Sequence, residues 1–196
     1  MILGITTTVL GIVGTLAAIW LKYYLDNRKK NTECVVQRTV IQDTEILSRL
    51  DEIREEIEAS RVSITCFHNG GEYYSGRSMQ KLSCAYESVS PGISRTQLSI
   101  QNIPVSSCLT TISNLIEHRE FHCYDVIQNY PDGGCRNLMI QNGVKSIYQY
   151  VILDLKRRAI GVLKVEFVLD RKELSKKEDE AMQSLAIKLS GYLTTH

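Results

Sequence analysis

Six cysteines and four histidines are the residues of this 196-residue chain whose types could support nucleophilic, redox or metal chemistry. None of the cysteines belongs to a Cys-x-x-Cys pair, whereas zinc ligands normally come in closely spaced pairs. The nearest approaches to such a pair are Cys66 with His68 and His118 with His122. We therefore expect no metal site, and no catalytic residue, because no nucleophile motif surrounds any cysteine. The cysteines are Cys34, Cys66, Cys84, Cys108, Cys123 and Cys135.

The oxidation state of these cysteines depends on the compartment. In the cytoplasm the thiols are expected to stay reduced, whereas an exported domain with six cysteines could form three disulfides. A thiol-based enzyme that uses Cys66, Cys84 or Cys108 is one alternative function for the chain.

The segment after the first predicted strand is the best candidate for a ligand site. Asn69-Gly70-Gly71 follows the alternating stretch 61–67, and glycine lets backbone N–H groups approach a ligand closely. An ordinary β-turn is the competing interpretation, since Asn-Gly is typical of turns. We predict that a small polar molecule, of unknown type, binds at the following residues: His68, Asn69, Gly70, Gly71, Tyr73, Arg77 and Lys81.

The composition is that of a folded protein without nucleic-acid-binding character. Apolar residues make up 43% of the chain and charged residues 23%, which is typical of globular domains. The net charge is +1, whereas a nucleic-acid-binding domain normally carries a basic excess. We therefore expect no nucleic-acid partner.

Residues 1–24 predict a transmembrane helix. Residues 2–21 carry no charged side chain, and twenty helical residues cross about 30 Å, the thickness of the hydrocarbon core. A signal peptide and a helix buried in a larger assembly are the alternatives. Basic residues follow the segment and none precedes it, so the positive-inside rule places the remaining chain in the cytoplasm. The expected membrane edge comprises Trp20, Lys22, Tyr23, Tyr24, Arg28, Lys29 and Lys30.

Residues 25–45 predict a basic flank and helical stalk, and residues 46–196 a soluble domain. An apolar stripe at helical spacing predicts that the helix packs on its own domain, with a contact between subunits as an addition. Small residues on one face of the membrane helix also suggest self-association, so we expect a homo-oligomer in contact with the lipid bilayer. The stripe consists of Ile46, Leu50, Ile53 and Ile57.

The order of strand and helix patterns in residues 46–196 predicts an α+β fold. Strands are expected at 61–67 and 81–89, a helix from Ser106 or Ser107, a strand at 121–127 and a loop at 129–137. A hairpin of strands 146–154 and 159–169 follows, and then a capping box at Ser175 and Glu178 that opens the last helix. Helices before and after such strands can cover one face of an antiparallel sheet.

The hairpin and the last helix resemble the end of a GAF domain. The strand Ile160-Gly161-Val162-Leu163-x-Val165-x-Phe167 is followed by a polar loop and a helix containing Leu185-Ala186. The resemblance implies a six-stranded antiparallel sheet with helices on one face and a small pocket on the other. It also implies a module that binds a cyclic nucleotide, a tetrapyrrole or another small molecule, or that only dimerises. The cyclic-nucleotide signature, the chromophore cysteine context and the cysteine set of free methionine-sulfoxide reductases are not recognisable in this sequence.

We therefore expect a membrane-anchored, non-enzymatic sensor or assembly module that acts through a small ligand, a protein partner or self-association. The main alternative is a lysis protein, because phage holins of the T-even type are similar in layout. They too have one N-terminal membrane helix, a basic and aromatic edge and a soluble domain. Such a holin places its soluble domain outside the inner membrane, opposite to the orientation predicted here.

Overall fold

The computed structural model describes residues 14–25 and 35–194 of the chain. The chain forms two compact units, Met1–Asp43 and Thr44–His196. In the first unit, residues 14–25 are helical and form α1. Within the described ranges, no helix is both long enough and apolar enough to span a bilayer.

The predicted membrane segment is described only in part. Residues 2–13 and the basic residues 28–30 lie outside the described residues. The membrane span and its edge therefore stay predictions. The other residues expected at the membrane edge lie in α1, where they are exposed: Trp20, Lys22, Tyr23 and Tyr24.

A six-stranded antiparallel sheet organises the second unit. The strands lie in the order β3-β2-β1-β6-β5-β4, and every neighbouring pair is antiparallel. This confirms the predicted α+β class and the sheet that the GAF resemblance implied. The strands are β1 (Arg61–Glu72), β2 (Ser78–Val89), β3 (Ile103–Pro104), β4 (Glu120–Cys123), β5 (Ser146–Leu153) and β6 (Ala159–Phe167).

Two long helices, α2 (Val35–Glu56) and α6 (Lys176–Thr194), contribute to the main hydrophobic core on one face of the sheet. The four stripe residues of α2 and the segment after it are each at most 7% exposed, so the predicted packing on the chain's own domain is confirmed. Alternate residues of the central strands meet them, among them Ile64, Leu163 and Val165.

Shorter helices cover the opposite face, which a sheet with helices on only one side would leave open. A 3-10 helix (Val105–Cys108) leads into α3 (Leu109–His118), and α4 (Val126–Asn129) and α5 (Gly134–Gln141) follow β4. Their apolar side chains pack on strand residues such as Val162 and Ile147, which point away from α2 and α6. The GAF-like pocket face is therefore enclosed.

Two local predictions on this covering side are wrong. The loop expected at 129–137 contains the last residue of α4 and the start of α5. Asp125 caps α4 by accepting a hydrogen bond from the Gln128 amide at 3.1 Å. The helix expected from Ser106 or Ser107 begins at Leu109, with Cys108 as its uncapped N-cap residue. The helix itself is confirmed, and only its start and its cap differ from the prediction. Residues 129–137, in contrast, do not show the long apolar periodicity by which helices are recognised.

The turn predicted at Asn69-Gly70 is also wrong, because β1 continues to Glu72 and the chain reverses within residues 73–77. The pairing of β1 with β2 is irregular between Asn69 and Glu72, and Gly71 there has a φ of 102°. Glycine reaches that conformation without steric cost, so the Gly-Gly pair serves a bulge rather than a turn.

The capping box at the start of α6 is confirmed. The Glu178 amide donates to Ser175 Oγ at 3.3 Å, and the Ser175 amide donates to Glu178 Oε2 at 2.7 Å. Burial alone would raise the pKa of Glu178, but hydrogen bonds from Lys172 and Ser175 outweigh burial and lower that pKa to about 2.

We expect Ser175→Ala to lower the free energy of unfolding by about 1 kcal/mol, because the Glu178 amide loses its acceptor. Urea unfolding followed by circular dichroism measures the change. Ser184→Ala, at an exposed position later in the same helix, is the matched control and should cost nothing. Equal losses in the two variants would contradict a capping role.

Candidate ligand-binding site

The face of the sheet beneath the short helices carries buried charged residues. Arg61 on β1 is 1% exposed, and Lys164 and Glu166 on β6 are 5% and 1% exposed. These residues alternate with the apolar ones that point to α2 and α6. Because both faces of these central strands are covered, the charges must be compensated inside the protein.

The Arg61 and Glu166 side chains form the central ion pair of this face. Arg61 Nε donates to Glu166 Oε2 at 2.5 Å, and Lys164 Nζ lies 3.5 Å from Glu166 Oε1. Burial alone would raise the pKa of Glu166, but Lys164 and Arg61 outweigh burial and lower it. Glu166 therefore carries its negative charge at neutral pH.

A second buried carboxylate, Glu87 on β2, ties the segment 90–102 to the same face. Its Oε1 lies 4.0 Å from Arg61 Nε and accepts hydrogen bonds from the Thr96 amide at 2.8 Å and hydroxyl at 2.7 Å. Arg61 Nη1 also donates to the Ser94 carbonyl at 2.8 Å. The group formed by Arg61, Glu87, Lys164 and Glu166, here called the charge cluster, thus pairs two cations with two anions.

A cavity of about 40 Å³ lies beside the charge cluster, between the sheet and helices α3 and α5. Thr65 and Gln149 line it, and neither Thr65 Oγ1 nor Gln149 Oε1 has a hydrogen-bond partner. Tyr130 does not line the cavity; its buried hydroxyl also lacks a hydrogen-bond partner within normal geometry, and its polar neighbours are Thr111 and Gln149. Burial, partly opposed by those two neighbours, raises the pKa of Tyr130 to about 12, so the hydroxyl stays protonated.

The two unpartnered atoms of its lining, Thr65 Oγ1 and Gln149 Oε1, mark the cavity as a place for a polar guest, because buried polar groups are normally hydrogen-bonded. A volume of about 40 Å³ accommodates about three water molecules. Typical ligand pockets begin at about 300 Å³, so a larger ligand requires α3 or α5 to move away from the sheet.

A disulfide between Cys108, at the end of the 3-10 helix, and Cys135 of α5 lies at the cavity wall, with the Cα atoms 5.1 Å apart. A Cβ at Gly134 would lie 3.0 Å from Ser107 Cβ, so glycine permits the close approach of α5 to the 3-10 helix. Neither predicted oxidation state describes this arrangement, because three described cysteines are free and Cys34 lies outside the described residues. The free cysteines are Cys66, Cys84 and Cys123.

The cysteines named for a thiol-based enzyme are poorly suited to nucleophilic chemistry. Burial raises the pKa of both Cys66 and Cys84 to about 11, whereas reactive cysteines have a lowered pKa. Cys108 is held in the disulfide. The thiolate form of the two free thiols is therefore scarce at neutral pH.

The residues predicted as a ligand site lie instead on the hairpin formed by β1 and β2. His68 Nε2 lies 2.9 Å from Ser83 Oγ, and Asn69 Oδ1 accepts from the Gly71 amide at 3.1 Å. Lys81 pairs with His68 across the strands. The remaining predicted residues, Gly70, Tyr73 and Arg77, lie on the same hairpin, and none of the seven lines the cavity described above. A site at the hairpin stays a prediction.

None of the residues of this face was predicted as a site residue from the sequence: Arg61, Thr65, Gln149, Lys164 and Glu166. The available signal was the position of their strands, because a strand with neighbours on both sides and helices before and after it can have both faces covered. Alternation alone does not say which face meets water.

Solved GAF domains are similar to this chain. The blue-light absorbing form of the Thermosynechococcus elongatus PixJ GAF domain aligns with a TM-score of 0.65 and 14% identity, covering 83% of this chain and 89% of that one. A phycoerythrobilin-bound GAF domain from a cyanobacterial phytochrome gives 0.62 and 17%, covering 81% and 88%. A GAF domain region from Geobacter sulfurreducens gives 0.58 and 16%, covering 81% and 97%.

The chain has a GAF-like fold. The predicted GAF resemblance is thus supported, whereas the holin resemblance receives no support. No family model matches the sequence, and no curated protein matches it. At these identities the similarity shows the fold alone.

We expect Glu166→Gln to lower the free energy of unfolding by about 3 kcal/mol or more, because it leaves Arg61 and Lys164 buried with one carboxylate fewer. Urea unfolding at neutral pH measures the loss. Glu180→Gln, at an exposed position of α6, should change the stability by less than about 0.5 kcal/mol. Similar values for both variants would refute the importance of the charge cluster.

The same variant should alter the pH dependence of stability. Because the pKa of Glu166 is lowered by folding, its contribution is complete above about pH 4.3 and is lost as the pH falls through the lowered value. Between about pH 7 and pH 3, the free energy of unfolding should therefore decline more steeply for the wild type than for Glu166→Gln. Glu178 titrates in both proteins, so the difference isolates Glu166. Parallel curves would contradict a lowered pKa.

Reduction of the Cys108–Cys135 disulfide should destabilise the GAF-like unit. Reduction frees a loop of 27 residues in the unfolded chain, and the entropy gained there lowers the free energy of unfolding by about 3.5 kcal/mol. Urea unfolding with and without dithiothreitol measures the loss. In a Cys108→Ser, Cys135→Ser double variant, the reductant should have no effect. A reductant effect that persists in this double variant would assign the loss to other cysteines.

Proposed function

We propose that this protein is a non-enzymatic sensor module that binds a small, uncharged polar molecule on the buried polar face of its GAF-like sheet. The observation that carries the proposal is the pair of unpartnered side-chain atoms in the cavity wall, Thr65 Oγ1 and Gln149 Oε1. Buried polar atoms without partners cost free energy, and a ligand that pairs with them recovers that cost.

The chemistry of these atoms selects the kind of ligand. Gln149 Oε1 can only accept a hydrogen bond, so the ligand must offer an N–H or O–H donor. The Thr65 hydroxyl can donate to a carbonyl or hydroxyl oxygen of the ligand. The charge cluster is already balanced, and an added buried charge would lack a counter-ion. A small amide fits these conditions.

The size of the cavity argues against a bilin as the ligand, although one of the similar GAF domains is phycoerythrobilin-bound. A tetrapyrrole is far larger than about 40 Å³, and the cysteines at the cavity wall are joined to each other rather than free to bind a chromophore. A ligand of amide size needs only a modest displacement of α3 or α5.

The wider role is that of a module that passes on ligand occupancy to a protein partner or to a second copy of itself. Anchoring of the chain in a membrane by residues 2–21, with the soluble domain in the cytoplasm, belongs to this proposal and rests on the sequence alone. The holin alternative has no support from the fold or the comparisons. The thiol-based alternative is disfavoured by the raised thiol pKa values.

Binding of matched neutral and anionic probes to isotope-labelled protein tests the proposal. We expect acetamide and nicotinamide to shift the amide resonances of Thr65, Thr111 and Gln149, and acetate and nicotinate to leave them unchanged. Thr65→Val keeps the shape but removes one unpartnered hydroxyl, so it should weaken amide binding without loss of stability.

Thr110→Val, at an exposed position of α3, is the matched control and should bind the amides as the wild type does. The proposal fails if neither amide perturbs the cavity residues, if the carboxylates bind equally well, or if both threonine variants bind alike.

A further inference from the structure

Two carboxylates and a histidine converge at the edge of the sheet formed by β4. Glu120 and His122 lie two residues apart on this strand, so their side chains share one face. Asp179 reaches the same place from the first turn of α6. The three residues, here called the edge triad, lie beneath none of the short covering helices and are separate from the charge cluster.

The distances within the edge triad suit a metal ion. His122 Nε2 lies 3.4 Å from Asp179 Oδ1 and 4.0 Å from Glu120 Oε2, and one ligand atom from each residue lies within 4.8 Å of the other two. Ligands of a tetrahedral zinc ion, with bonds of about 2.0–2.2 Å, lie about 3.4 Å apart. One pair already has this separation, and small side-chain rotations bring in the third ligand.

Neighbouring groups hold the ligands in orientation. The Gln183 amide nitrogen donates to Glu120 Oε2 at 2.9 Å and to Asp179 Oδ2 at 3.0 Å, so it bridges the two carboxylates. The Tyr150 hydroxyl donates to Asp179 Oδ1 at 2.5 Å. Hydrogen bonds of this kind orient metal-binding carboxylates.

The ring of His122 is also held in place. It packs against Tyr148 and Tyr150 of the neighbouring strand, with ring centroids 5.1 and 5.5 Å away. Both tyrosines lie on β5 directly opposite the two triad residues of β4, because Glu120 pairs with Tyr150 and His122 with Tyr148. The imidazole therefore needs little reorganisation to present Nε2 to an ion.

The charge and accessibility of the edge triad favour a cation. Two carboxylates lie close together, and within the described part of the chain His122 is the only basic residue that forms an ion pair with either. The side chains of Glu120, His122 and Asp179 are 41%, 36% and 24% exposed, so an ion can enter and keep water ligands.

We propose that Glu120, His122 and Asp179 bind one divalent transition-metal ion, with water completing the coordination. An imidazole nitrogen beside two carboxylate oxygens suits Zn²⁺ better than Mg²⁺ or Ca²⁺, which prefer oxygen ligands only. The bound ion ties the edge strand β4 to the first turn of α6. The sequence-based expectation of no metal site rested on cysteine and histidine spacing, which cannot register Asp179.

Titration of the metal-free full chain with Zn²⁺ and with Co²⁺ tests the proposal. We expect one ion per chain by calorimetry, and a rise in Tm with Zn²⁺ that Mg²⁺ at the same concentration does not produce. Bound Co²⁺ should show visible d–d absorption without a thiolate charge-transfer band, since no cysteine belongs to the edge triad.

His122→Ala and Asp179→Asn should each weaken Zn²⁺ binding at least about tenfold. His118→Ala removes an exposed histidine of α3 and is the matched control, and Cys123→Ser controls for binding by a thiol. The Tm of each metal-free variant establishes that it is folded. Zn²⁺ binding that is unchanged in His122→Ala, lost in Cys123→Ser or matched by Mg²⁺ would overturn the proposal, and none of these outcomes bears on the amide cavity.

Discussion

The buried ion pair between Arg61 and Glu166 is the interaction on which the enclosed side of this fold depends. It joins the two central strands, and through the Arg61 hydrogen bonds to the Ser94 and Asn142 carbonyls it also holds the covering segments. A buried guanidinium without a carboxylate would cost several kcal/mol, so the cover can close only over a compensated face. Compensation of the buried charges is thus a precondition for closing the covering segments over this face.

The two sides of the sheet are covered by helices of different length and enclose different kinds of side chains. On one side, the long helices α2 and α6 bury continuous apolar stripes. On the other, helices of 4, 8 and 10 residues enclose polar groups, and one disulfide links α5 to the 3-10 helix that precedes α3. Elements with few apolar contacts open at lower free energy than the core. A ligand that needs room therefore displaces the short helices before it disturbs the long ones.

Local patterns predicted the parts of the fold that local physics determines. Three features are each encoded by residues close together in the sequence: the hairpin of β5 and β6, the capping box at Ser175 and the apolar stripe of α2. The short helices α4 and α5 were missed because composition rich in Gly, Pro and Asn resembles a loop. The charge cluster and the edge triad were missed because each requires residues distant in sequence, such as Arg61 with Glu166 or His122 with Asp179, to be brought together by the topology.

The shared strand β6 provides a physical route between the polar cavity and the apolar core. Lys164 and Glu166 face the cavity side, whereas Leu163 and Val165 on the same strand pack in the core that α2 and α6 complete. Because successive side chains of a strand point to opposite faces, a shift of the backbone at Lys164 also moves its neighbours against the long helices. Close-packed interiors transmit such displacements rather than absorb them. Under the proposed function, occupancy of one face is therefore reported through the helices on the other, without a ligand that touches them.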